Sequence, residues 1–209
     1  MRAFLYTGGE VAVDRITESP TEEDLVIAAD AGWRTAMACH AYPSVLLGDF
    51  DSLGEPSVPE SVELIRVPAE KDLTDTQLAV DYALSKGVDE IVIVGGLEGR
   101  LDHTLSTLAI LEELDRKQIH AVVTSGRNRA RFLRNNGTIL PRTPYFHYFS
   151  ILVADPKVKG ITVEGAKYPL QNATLTRERQ YAVSNEIEGN CVLIEIRKGG
   201  AWIIESADR

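Results

Sequence analysis

The chain has 209 residues, 44% of them hydrophobic and 25% charged, and a formal net charge of −9. That length supports one large domain or two modest ones, and the composition is that of an ordinary globular protein. The acidic balance argues against a general nucleic-acid binder, and no apolar run approaches the roughly 18 residues of a membrane span.

The opening run Met1-Arg2-Ala3-Phe4-Leu5-Tyr6 reaches Gly8-Gly9 too soon for a signal peptide. The two cysteines, Cys39 and Cys191, stand far apart with no metal-ligand spacing. Buried free thiols in a reducing cytoplasm are the expectation. Up to about residue 135, short apolar runs alternate with helical patterns. Leu25-Val26-Ile27-Ala28-Ala29, Val45-Leu46-Leu47 and Ile91-Val92-Ile93-Val94 are apolar on both faces, as strands inside a helix-covered parallel sheet are. Asp72 to Lys86 reads as a helix with Gly87 as its stop, and Leu101, Leu105, Leu108 and Ile110 to Leu114 mark a second helix. Ala121-Val122-Val123-Thr124 is another buried strand.

Past Gly137 the helical period vanishes. Strand-like runs follow at His147 to Val153, Gly160 to Glu164, Tyr181 to Ser184, Cys191 to Arg197 and Ala201 to Ser206. The expected organisation is α/β: a helix-covered parallel-sheet domain over residues 1–136, then a small antiparallel β domain over 137–209. The second domain is short for a self-sufficient core, which suggests pairing with a copy of itself.

Three polar loops follow predicted strands directly. They are Ala29-Asp30-Ala31-Gly32, Gly48-Asp49-Phe50-Asp51-Ser52, and the stretch from Gly95-Gly96 through Gly99-Arg100 to Asp102-His103. Ligands of an open parallel sheet bind beyond the carboxyl ends of its strands, so the three loops point to one site. Any one of them alone is an ordinary turn. Asp49 and Asp51, two apart, can face one ion if the backbone is extended. Asp72 and Asp75, three apart, are neighbours on a helix face, although first-turn acids also serve as caps. Clustered carboxylates suit Mg²⁺, which usually meets its substrate through phosphate oxygens. The glycine-rich loop opening a helix favours an anion, and Arg100 adds a fork suited to phosphate. No Walker-type P-loop is present. Lys71 and the run Ser125 to Arg134 are further basic candidates, the latter reading mainly as a solvated face. His103 reads as a helix-start residue rather than a general base.

Together these motifs resemble thiamine pyrophosphokinases. That family shows an Ala-Asp-Gly-Gly-like loop, Gly-Asp-Phe-Asp-Ser, Lys-Asp-x-Thr-Asp and Gly-Gly-x-x-Gly-Arg-x-Asp-His/Gln in order. Here they stand at Ala29–Gly32, Gly48–Ser52, Lys71–Asp75 and Gly95–His103. The Asn128 region, Gly165-Ala166-Lys167-Tyr168-Pro169-Leu170 and Ser184-Asn185 also match. The resemblance implies a Rossmann-like α/β catalytic domain over residues 1–136, a C-terminal β-sandwich over 137–209, and a homodimer with thiamine at the subunit interface. It implies transfer of the terminal diphosphate of ATP to the thiamine hydroxyl, with Mg²⁺, giving thiamine diphosphate and AMP. It implies catalytic roles for Asp49, Asp51, Asp72, Asp75 and Asp102, the first four as metal ligands. Asp30, Lys71, Thr74, Gly96, Arg100, Asn128 and Arg129 go with ATP. Tyr168, Ser184, Asn185 and Trp202 go with thiamine, whose cationic thiazolium and flat aminopyrimidine suit polar partners and an aromatic wall. Packing in a β core is an equal alternative for Trp202. Two departures stand out: Ala31 replaces the first glycine of Asp-Gly-Gly, and Ser44 stands where Asp often follows Pro43.

Asp49-Phe50-Asp51 also looks like the Asp-x-Asp motif of nucleotide-sugar glycosyltransferases, which leaves the Lys71 and Gly95 motifs unexplained. A dimeric nucleotide sensor without turnover has little use for five clustered carboxylates.

Overall fold

The computed structural model describes residues 1–50, 58–68 and 72–208. It divides into two compact units, Met1–Gly126 and Arg127–Arg209.

The first unit is built on β1 (Arg2–Tyr6), β2 (Leu25–Ala29), β3 (Val45–Gly48), β4 (Glu63–Arg66), β5 (Glu90–Val94) and β6 (His120–Thr124). Their parallel pairings run β4-β3-β2-β1-β5-β6. Phe4, Leu5, Ile27, Leu46, Ile91 and Ile93 are almost wholly buried, as the apolar two-faced runs require. Three helices accompany the sheet: α1 (Gly32–Ala38), α2 (Asp75–Ser85) and α3 (Leu101–Arg116). α1 and α2 pack on β1 and β2, and α3 on β6. Helix α2 begins three residues later than its sequence pattern suggests. Thr74 is extended, at φ −70° and ψ 156°, and its side chain accepts from the Gln77 N–H as the N-cap. Asp72 therefore precedes the helix and does not share a face with Asp75.

The second unit contains β7 (Asn128–Arg134), β8 (Gly137–Pro141), β9 (Tyr148–Val153), β10 (Lys157–Glu164), β11 (Leu170–Thr176), β12 (Cys191–Lys198) and β13 (Gly200–Ser206). All its ladders are antiparallel, β7-β13-β9 in one set and β11-β10-β12-β8 in the other. Phe149, Ile151 and Ile203 from the first set cluster with Leu140, Val158, Ile161, Val192 and Ile194 from the second. The unit thus closes a core of its own, against the expectation that its length leaves one incomplete. It also begins ten residues before the expected change of character. The reason is β7, which pairs with β13 along its whole length.

The basic run is not a solvated face. Arg129 forks onto Glu205 at 2.8 and 2.7 Å, Arg131 reaches the same carboxylate at 3.1 Å, and Arg134 meets Asp155 at 2.8 Å. Glu205 is 2% exposed and Arg129 is 7% exposed. Tyr181 to Ser184 forms no strand, because Ser184 sits at φ +56° and interrupts the extended backbone. Both cysteines are free, but neither is fully buried: Cys39 is half-buried and Cys191 exposed. Burial raises the Cys39 thiol pKa.

In the first unit, Arg2 forks onto Asp24 at 3.1 and 2.7 Å. That hydrogen-bonded pairing, with the Thr21 N–H and hydroxyl, holds the Asp24 carboxyl at about 2 against an ordinary 3.8.

Two outcomes are expected. Glu205→Ala removes the shared carboxylate and leaves two guanidinium groups in a site built around it, which costs about 3–5 kcal/mol in chemical denaturation. A loss under about 1 kcal/mol contradicts this account. Asp24→Asn lowers the melting temperature at neutral pH. Because the folded-state pKa is depressed, that contribution is present above 3.8 and is lost as pH falls through about 2, so the gap to the parent protein closes over that window.

Candidate active site

The parallel register places several strand ends at one level. Tyr6 lies beside Val94, the Thr7 N–H donates to the Val94 carbonyl at 2.9 Å, and the Gly95 N–H donates to Thr124 at 2.8 Å. From β1 the chain builds outward through β2, β3 and β4 on one side and through β5 and β6 on the other. The crevice between the β1 and β5 loops is therefore the topological switch point, where such sheets bind ligands.

Backbone crowding shapes this edge. A Cβ on Gly95, at φ +107°, would lie 2.5 Å from Thr7 Oγ1, and one on Gly32 would lie 1.9 Å from the Tyr6 carbonyl oxygen. Position 32 is thus closed to side chains. Ala31, at φ −54° and ψ −14°, occupies ordinary helical space, so alanine there leaves the turn intact. Ser44 simply closes a strand start, its N–H donating to the Val26 carbonyl at 2.9 Å.

A cavity of about 390 Å³ opens at the crevice. Its wall includes Thr7, Gly8 and Gly9 after β1, Asp30 after β2, Thr74 and Asp75 at the start of α2, and Gly96, Glu98, Gly99 and Arg100 after β5. Of the residues expected from sequence, Asp30, Thr74, Asp75, Gly96 and Arg100 come together here, with His103 alongside. Asp49, Asp72 and Asp102 are not among the lining residues, and Asp51 and Lys71 lie outside the described residues. Asn128 and Arg129 open β7 of the second unit, where Arg129 has an internal carboxylate partner. The Thr7-Gly8-Gly9 loop is a part of the wall that the motif reading missed. Its signal was available: a glycine pair straight after an apolar run, as at Gly95-Gly96.

Arg100 forks onto Asp102 at 3.1 and 2.6 Å, and Asp102 also accepts from the His103 N–H at 3.0 Å. The Arg100 hydrogen bonds, with that amide, lower the Asp102 pKa. Both side chains are largely exposed, so the pair orients Arg100 more than it stabilises the fold. Across the cavity wall the buried Ser125 hydroxyl donates to Glu98 at 3.0 Å.

Among the described residues no three acidic, histidine or cysteine side chains converge to hold a metal by themselves. Asp30 and Asp75, both lining the cavity, fit the partial ligation usual for Mg²⁺, in which one or two carboxylates act together with substrate phosphates and water.

In the second unit, Asn185 is buried and bonded to the backbone of Tyr168, a residue that is 62% exposed. Ser184 is exposed, and its N–H donates to the Ser150 hydroxyl at 3.0 Å. Trp202 lies within β13 and packs edge-on against Phe132, with ring centroids 5.7 Å apart. That is strand packing, and the residue is half-buried.

Residues 17–123 match the thiamin pyrophosphokinase catalytic domain, and residues 137–200 match the thiamin pyrophosphokinase vitamin B1 binding domain. The chain belongs to the thiamine pyrophosphokinase family. It is 28% identical over 205 residues to the thiamine pyrophosphokinase of Bacillus subtilis (strain 168), covering 96% of each chain. The crystal structure of Bacillus subtilis thiamine pyrophosphokinase matches with a TM-score of 0.87 at 25% identity, over 100% of both chains. That of a thiamin pyrophosphokinase family protein from Enterococcus faecalis matches at 0.83 and 28%, again over 100% of both. The protein is an ATP-dependent thiamine diphosphokinase, passing the diphosphate of ATP to the hydroxyl of thiamine to give thiamine diphosphate and AMP. The glycosyltransferase alternative falls with this match.

Thr74 both lines the cavity and caps α2, so Thr74→Ala is expected to cost about 1 kcal/mol of stability, while Thr74→Ser keeps most of it. Urea denaturation of the two variants checks this. Equal midpoints for all three proteins would remove the cap from the account.

Proposed function

We propose that the β1/β5 cavity takes the polyphosphate of ATP together with Mg²⁺, and that thiamine is taken by the second unit of a homodimer in the cytoplasm. The observation that supports this most is the convergence of Asp30, Asp75 and Arg100 on two glycine-rich loops. A polyphosphate brings several negative charges, and diphosphate transfer builds more on the oxygens that part company. Backbone N–H groups of Gly8, Gly9, Gly96 and Gly99 suit those oxygens, because no side chain stands between them and the ligand. Arg100, oriented by Asp102, supplies a planar fork for one phosphate.

Mg²⁺, when bound, supplies positive charge that neutralises phosphate oxygens and orients the chain of phosphates. Asp75 is its first candidate ligand on the cavity wall. Asp49, Asp51 and Asp72 belong to the same proposal by motif, and Asp30 joins them because it lines the cavity. Lys71 and Asn128 are assigned to ATP by motif alone. Arg129 is better read as the internal partner of Glu205. Tyr168 and Ser184 are proposed to face thiamine, the tyrosine as the flat wall for its rings. The match of residues 137–200 to a vitamin B1 binding domain supports that placement. Trp202, half-buried against Phe132, is assigned to thiamine by motif alone.

Turnover is expected to need a divalent metal and to stop in excess chelator after metal removal. Asp75→Ala is expected to lower kcat by roughly 100-fold or more, the loss typical of one missing electrostatic stabiliser. Full turnover without metal, or an Asp75→Ala enzyme within about two-fold of the parent, overturns the site assignment. Sharing of the site between subunits has its own test. Asp75→Ala chains mixed with Tyr168/Ser184 double-mutant chains, each impaired alone, gain activity beyond the sum of the two only if one site draws on two chains. No recovery after verified chain exchange rejects the shared site, and a monomer by light scattering rejects the dimer.

A further inference from the structure

Asn185 carries one of the motif's most recognisable side chains, yet its amide faces the protein's own backbone. Its Oδ1 accepts from the Tyr168 N–H at 3.1 Å and from the Glu186 N–H at 2.9 Å, and its Nδ2 donates to the Tyr168 carbonyl at 2.8 Å. The orientation of the amide is fixed by its neighbours, since two donors meet the oxygen and a carbonyl meets the nitrogen. Both acceptor positions are filled and one N–H remains. The residue is only 6% exposed.

Its main chain is equally committed. The Asn185 N–H donates to Phe149 at 2.9 Å and its carbonyl accepts from Phe149 at 2.8 Å, a bridge to strand β9. The loop that carries Tyr168 is fastened to the same segment at other points. Lys167 N–H donates to Glu186 at 3.0 Å and Glu188 N–H donates to Gly165 at 2.9 Å. The Lys167 ammonium meets the Glu186 carboxylate at 2.6 Å. The result is an aromatic residue, 62% exposed, on a backbone clamped to its neighbours. A ring left on a loose loop would have to be ordered at each binding event, and prior ordering removes that cost.

We propose that Asn185 is a positioning residue. It acts on thiamine through Tyr168, by fixing the Tyr168 backbone against β9, and does not itself bind the substrate. This rests on the reading that Tyr168 faces thiamine.

Steady-state kinetics with both substrates test it, using Tyr168→Ala, Asn185→Asp and the double variant, each checked by thermal melting. Asn185→Asp keeps the oxygen that accepts from Tyr168 and Glu186 but turns an oxygen toward the Tyr168 carbonyl. Tyr168→Ala is expected to raise the thiamine KM by about five-fold or more, the scale of a lost ring contact. Asn185→Asp is expected to raise the thiamine KM and leave the ATP KM unchanged. In the Tyr168→Ala background it is expected to add less than about two-fold, because both changes remove one function. Multiplying effects in the double variant overturn the positioning role, since Asn185 then meets the substrate independently. An unchanged thiamine KM in Tyr168→Ala removes the premise itself, and the inference with it. Hydrogen exchange on the unsubstituted protein reads the clamp without any variant. The Tyr168 and Glu186 amides are expected to exchange at least about ten-fold slower than unprotected peptide amides, and free exchange overturns the clamp.

Discussion

The structure of the catalytic unit depends on how closely two backbones approach at the β1/β5 edge. There is no space for a side chain at Gly95, where Thr7 Oγ1 and the Thr7 carbonyl already stand within 2.5 and 2.9 Å of a would-be Cβ. That crowding sets the Thr7-Gly8-Gly9 loop beside the Gly95-Gly96 loop, and both contribute to the wall of one crevice. In the proposed site the backbone N–H groups of Gly8, Gly9, Gly96 and Gly99 serve a phosphate, while those of Thr7 and Gly95 are held by the Val94 and Thr124 carbonyls. The same tightness recurs at Gly32, so α1 starts directly over the end of β1. The cavity is thus a product of backbone geometry, and the charged side chains are added at its rim.

Charge is handled differently in the two units. In the second unit the arginines of β7 are consumed internally by Glu205 and Asp155. A buried arrangement of this kind gives little net stability but penalises any departure from its register. In the first unit Asp30, Asp75 and Arg100 all line the cavity. An acidic chain that binds a polyphosphate has to meet the ligand's charge from somewhere. Here backbone amides, one arginine and a metal ion divide that task in the proposed site.

The parallel strands were legible because Leu25–Ala29 and Ile91–Val94 are apolar on both faces, a pattern with few alternatives. β7 was not, because its alternating arginines look like a surface until Glu205, 76 residues away, supplies the partner. Tyr181–Ser184 misled in the other direction, since composition does not reveal a positive φ at Ser184. The site was readable as a set of motifs in order, which named Asp30, Asp75 and Arg100 but passed over Gly8 and Gly9. Residue type also left the direction of a side chain open. Asn185 was legible as a residue of interest, but only the fold reveals that its amide turns inward to Tyr168.

The central claim is that the nucleotide lies in the β1/β5 crevice, cradled by both glycine loops. Backbone amide chemical-shift mapping of the labelled protein with a non-hydrolysable ATP analogue and Mg²⁺ tests it most directly. The account predicts that the largest shifts fall on Gly8, Gly9, Gly96 and Gly99, and that thiamine alone leaves these four in place. Nucleotide shifts that spare both glycine loops would contradict it.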